Sequence, residues 1–79
     1  MSPTVFRGKG FRFFFFSREE TRIHIHVHKQ NGEAKFWIDP QITLAQNFGL
    51  SEKELRQAEE LIRENLNGIK DAWFKHFGS

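Results

Sequence analysis

Arg22-Ile23-His24-Ile25-His26-Val27-His28-Lys29-Gln30-Asn31-Gly32-Glu33-Ala34-Lys35-Phe36-Trp37-Ile38-Asp39-Pro40 is the stretch on which the fold turns. Its first half alternates without a break. Ile23, Ile25 and Val27 point one way and Arg22, His24, His26 and His28 the other, because successive side chains of a strand face opposite sides. Asn31-Gly32 is the strongest short hairpin signal, since a type I′ turn needs positive φ at both central residues. Glu33 to Asp39 returns, and Pro40, which has no N–H to give a ladder, stops it. With Asn31-Gly32 as the two-residue loop, Val27 faces Phe36 and Ile25 faces Ile38 on the apolar side. On the polar side His28 faces Lys35, His26 faces Trp37 and His24 faces Asp39. A slip of one residue would drive the imidazoles into the core, so the pattern specifies its own alignment.

Upstream, Thr4 to Arg7 reads as a short strand and Gly8-Lys9-Gly10 as a turn. Phe11 to Phe16 is a strand with aromatics on both faces. Ser17 to Thr21 is a polar loop, and its length decides whether Phe14 and Phe16 or Phe13 and Phe15 join the histidine side. Downstream, Gln41 to Phe48 offers Ile42, Leu44 and Phe48 as an optional fifth strand. Ser51 with Glu54 forms a capping box and Leu50 with Leu55 a hydrophobic staple. Leu55, Ala58, Ile62, Leu66, Ile69, Trp73 and Phe77 then recur as one helical stripe. An unbroken helix over 52–77 would be about 39 Å long, more than a small domain's width. Asn67-Gly68 is the expected kink or break, Gly being costly inside a helix. The stripe must be buried, and the Ile/Val side of the sheet is the surface it fits.

The chain of 79 residues is therefore read as one α+β domain. Residues 1–48 form an antiparallel sheet of four or five strands, and the C-terminal helical region, 51–77, covers one face. Ten Phe and two Trp supply the large side chains so short a chain needs for a core. No apolar run approaches the roughly 20 residues of a membrane span, and the lack of cysteine suits a reducing compartment. The expected setting is the cytoplasm, away from membranes. The net charge of +2 hides a division. Residues 1–30 hold six basic against two acidic side chains, residues 31–79 six against eight. Such asymmetry steers an anionic partner to one side.

The outward face is the candidate working surface. Arg12, Arg22 and Lys35 would hold phosphates, Trp37 would stack a base, and His28 adds a further polar contact, as suits single-stranded RNA. His24 and His26, with Asp39 fixing an imidazole tautomer, have the composition of a metal-independent acid–base site acting at a 2′-hydroxyl. Three histidines at i, i+2 and i+4 also invite a metal. Neighbours on one strand face stand about 6.6–6.8 Å apart, so two can share a zinc and the third cannot. Neither a dedicated metal site nor a cofactor is expected. Gly8-Lys9-Gly10 is too short for a phosphate loop and no helix follows it. The competing reading is a non-enzymatic interaction module, with Trp37 and the Phe residues anchoring a protein partner or a second copy.

Several pieces together resemble one family, the small bacterial proteins catalogued as domain of unknown function 4160. They are Pro3-Thr4-Val5-Phe6-Arg7, the Phe13–Ser17 run, His24-Ile25-His26-Val27 and Ala34-Lys35-Phe36-Trp37-Ile38-Asp39-Pro40. Gly49-Leu50-Ser51, Glu54-Leu55, Ala72-Trp73 and His76-Phe77-Gly78 continue the match. Where the family has prolines ahead of His-Ile-His-Val, this chain has Thr21-Arg22-Ile23, and His28 is an additional imidazole. The resemblance implies a two-gene module of toxin–antitoxin type, with a small protein encoded by a neighbouring gene as partner. It implies no particular reaction.

Overall fold

The computed structural model describes residues 4–16 and 22–78; the expected Ser17–Thr21 loop lies outside them. Five strands, β1 (Thr4–Gly8), β2 (Phe11–Phe14), β3 (His24–Lys29), β4 (Gly32–Trp37) and β5 (Thr43–Phe48), precede two helices, α1 (Glu52–Glu64) and α2 (Leu66–Phe77). The strands pair in sequence order, each antiparallel to the next. The optional fifth strand is present, and the α+β architecture is the expected one.

The apolar side of the sheet is covered by the helices. Phe11, Phe13, Phe15, Ile25, Val27, Ala34, Phe36 and Ile38 share one core with Ala58, Ile62, Ile69 and Trp73. Phe6 on β1 extends it by stacking on Phe13, with centroids 4.2 Å apart. Burial of rings on this scale offsets the small size of the core.

Two hairpins show how local chemistry sets register. Gly8 pairs with Phe11, so Lys9 (φ 50°) and Gly10 (φ 83°) form a two-residue loop with both residues left-handed, as a type I′ turn requires. The β3–β4 hairpin differs from its expected register. Lys29 pairs with Gly32, so the loop is Gln30-Asn31, and Gln30 takes the positive φ of 51°. Gly32 is spent otherwise: a Cβ there would stand 2.5 Å from Leu50 Cδ2, so the bare backbone is what admits Leu50. The displacement is two residues, and an even displacement keeps every side chain on its own face. The partners change nonetheless. His24 lies opposite Trp37, His26 opposite Lys35 and His28 opposite Glu33.

The helical region also breaks where the sequence expects it only approximately. The interruption is at Asn65, two residues before Asn67-Gly68. Asn65 has φ −115° and ψ 20°, and its side-chain amide donates to the Leu61 carbonyl at 2.8 Å. Such local side-chain bonding competes with continued helix. Gly68 is accommodated inside the first turn of α2, with open space beside its α-carbon.

Candidate functional site: the open face of the sheet

The face away from the helices is laid out by the registers. One row across the sheet is Arg7, Arg12, His28, Glu33 and Phe48; the next is Thr4, Phe14, His26, Lys35 and Gln46. A third, shorter row holds His24, Trp37 and Thr43. Between the two ring pairs left open by the sequence, Phe14 and Phe16 are the ones beside the histidines: Phe14 stacks on His26 at 5.5 Å and Phe16 meets it edge-on at 4.2 Å. Phe48 reaches this face through a bulge. Lys35 pairs with Gln46 but Phe36 with Leu44, so Ala45 is the extra residue and the facing of β5 inverts across it.

The three histidines have different fates. His28 is exposed. His26 is 8% exposed, covered by Phe14 and Phe16. His24 is 0% exposed, which corrects its expected outward position. Rings from β3, β4 and α2 enclose it. Trp73 of α2 lies 5.1 Å from it, Trp37 5.6 Å and His26 5.2 Å, all edge-on. Nδ1 of His24 is 2.8 Å from the Arg22 carbonyl oxygen. A carbonyl can only accept, so Nδ1 donates to it. The expected His24–Asp39 pairing is also corrected. Asp39 is exposed and two residues further along than the partner of His24, and the Arg22 Nε donates to its backbone carbonyl at 3.0 Å.

The basic side chains are arranged on rings. Arg12 lies over Phe14 at 4.5 Å, and Arg12 Nε donates to Thr4 Oγ1 at 2.7 Å. Trp37 holds two cations, Arg22 at 4.3 Å and Lys35 at 4.4 Å from its ring. Arg22 is level with Asp39 and Lys35 lies two residues before Trp37, so they approach the indole from opposite directions along β4. Contacts of this kind contribute about 0.5–1 kcal/mol at exposed sites. Their effect is to hold long, flexible side chains in fixed places. Trp37 thus positions cations, while on this face Phe48, 64% exposed, and Phe16, 40% exposed, are rings open to a partner.

Arg12, Arg22, His26, His28, Lys35 and Trp37 therefore share this face, His24 lies against Trp37 and His26 but is enclosed, and Asp39 stands apart from both imidazoles. Sequence reasoning missed Arg7 and Phe48. Alternation within Thr4–Arg7 with the Gly8-Lys9-Gly10 turn could have placed Arg7 beside Arg12; nothing local signals the bulge that turns Phe48. Among the described residues, no three His, Asp or Glu side chains gather as metal ligands would, and no helix is long and apolar enough to cross a membrane.

A family model, Domain of unknown function (DUF4160), matches residues 10–74. No curated protein and no solved structure matches the chain.

Proposed function

The chain belongs to the DUF4160 family, and we propose that it binds single-stranded RNA through the open face of its sheet, without cleaving it. The observation that carries this reading is the set Arg7, Arg12, Arg22 and Lys35 on one sheet face, three of them fixed over aromatic rings. Cations held in place lose less freedom on meeting phosphates, and exposed Phe16 and Phe48 offer planes on which unstacked bases can lie for about 1–3 kcal/mol each. A duplex hides its bases and would leave those rings unused. Cleavage is set aside because His24 is enclosed and Asp39 stands apart from it. In a two-gene module of toxin–antitoxin type, this activity belongs to the toxin or the regulatory half, and the cytoplasm is where it would act.

Anisotropy of labelled oligoribonucleotides tests the proposal. Expected is saturable binding of unstructured RNA at low salt, weaker binding of a matched duplex, and a loss of at least about tenfold in Arg12→Ala/Arg22→Ala/Lys35→Ala. No binding at low salt, or an unaffected triple variant, overturns it.

A second reading rests on β5. This edge strand carries no charge, and Leu44 and Phe48 are exposed on its two faces, so its open edge suits a protein partner such as the neighbouring gene's product. Co-purification of that product through β5, lost in Phe48→Asp, is the result that would favour it.

A further inference from the structure

On the side of the molecule away from the rows described above, a cavity of about 370 Å³ opens between the β4–β5 connection and the junction of the two helices. Ile38, Pro40, Ile42 and Leu66 supply its apolar lining, and Gln41, Arg63 and Lys70 its polar one. The two cations are seven residues apart on either side of the Asn65 interruption, so both helices contribute one. No carboxylate lines the cavity among the described residues. Glu59 Oε2 holds Nη2 of Arg63 at 2.8 Å, which fixes the guanidinium and leaves its other N–H groups for a ligand. Lys70 is half-buried and makes no hydrogen bond or ion pair with any described residue. Lysine stems of this kind lie along apolar surface with the ammonium presented at the edge, where it can meet the negative charge of a ligand. From Lys70, without a partner among the described residues, and Arg63 lining one cavity with four apolar residues, we infer that this cavity binds a carboxylate carried on a short apolar tail.

The chemistry fits both elements of the cavity. The carboxylate oxygens accept from the Lys70 ammonium and from the open N–H groups of Arg63, a charge-assisted arrangement stronger than a neutral one. The tail displaces water from Ile38, Ile42 and Leu66, which an inorganic anion would not do. Such a group occurs on a free short-chain acid and at a peptide C-terminus ending in an apolar residue. This inference does not rest on RNA binding, and its success or failure leaves that reading where it stands.

Amide-shift titration of the labelled chain with hexanoate tests it, with hexanamide as the uncharged isostere. Expected are saturable shifts at Ile38, Ile42, Leu66 and Lys70, with hexanamide and the Lys70→Met variant each weaker by about tenfold or more. Lys70→Met keeps an unbranched apolar stem, and its unchanged melting curve would show that the loss is one of recognition. A peptide ending in Leu, free or amidated at its C-terminus, distinguishes the two sources: preference for the free terminus over hexanoate assigns chain ends, the reverse assigns free acids. Absence of saturation by either acid up to about 10 mM overturns the inference. So does equal binding of hexanamide, or shifts confined to the opposite face of the sheet.

Discussion

His24 and His28 lie on one face of one strand, yet they answer different physical demands. The imidazole of His24 fills a space between Trp37 and Trp73 and is tied to the Arg22 carbonyl, while His28 stands in solvent opposite Glu33. Truncating a buried ring leaves a cavity, so His24→Ala is expected to cost about 3–5 kcal/mol, as for a buried Phe. His28→Ala should stay within about 0.5 kcal/mol. Urea unfolding of both variants checks this; a His24→Ala chain of unchanged stability would mean the ring is not part of the packing. Side-chain parity was legible from the alternation of Arg22 to Lys29. The burial of His24 was not, because it depends on a hairpin register that sets Trp37 opposite it and on Trp73, 49 positions away in the chain. Gly32 gives the second test at this scale. Its Cβ would meet Leu50 Cδ2 at 2.5 Å and the Gly49 carbonyl carbon at 3.1 Å. Gly32→Ala is expected to destabilise by about 1–3 kcal/mol, as overpacking does. A double-mutant cycle with Leu50→Ala should show coupling, since the smaller side chain removes the clash. Asn31-Gly32 marked the hairpin correctly and its loop wrongly, because a glycine reads the same whether it is needed for φ or for close approach.

Helix α1 begins as its sequence says it should. The Ser51 hydroxyl accepts from the Glu54 N–H at 3.1 Å, and Glu54 Oε1 accepts from the Ser51 N–H at 2.9 Å. Ser51→Ala is expected to cost about 1 kcal/mol. The Ser51 backbone N–H holds the Glu54 carboxyl below its ordinary value; desolvation opposes it, and the Ser51 hydroxyl and the charge of Lys29 add smaller lowering effects. A carboxyl whose folded pKa is depressed stabilises the fold above its unfolded pKa, and that contribution is lost as pH falls through the lowered folded value. Thermal melts taken from about pH 6 downward into acid should therefore show a decline that Glu54→Gln reduces. Equal declines in both chains would mean that other carboxylates carry the acid sensitivity. The start of the helix was legible because both halves of the cap lie within four residues. Its break was harder to place: glycine propensity points to Gly68, whereas the Asn65 amide bond to Leu61 decides it, and Asn offers that bond only in a turn already formed.

At the scale of the molecule, the two layers differ in charge. Arg7, Arg12, Arg22 and Lys35 populate the open sheet face against Glu33, while the two helices are near balance, with Glu52, Glu54, Glu59, Glu60, Glu64 and Asp71 against Lys53, Arg56, Arg63, Lys70 and Lys75. The basic excess of the first part was visible in the sequence, and the meander gathers it onto one surface because β1, β2 and β3 are neighbours. If RNA lies on the sheet, this count bounds the salt dependence. Four phosphate contacts to a single strand give a slope of about −2.8 in log affinity against log salt. Removing one cation should lower its magnitude by about 0.7 and weaken binding alike across sequences, because phosphates carry no base identity. Arg12→Ala is the informative single variant, since Arg12 lies over Phe14 and so joins the two long rows. Phe48→Ala provides the opposite signature: a stacking plane contributes affinity without counterion release, so binding should weaken with the slope unchanged. A slope indifferent to Arg12→Ala, or one that follows Phe48→Ala, would move the contact off this face.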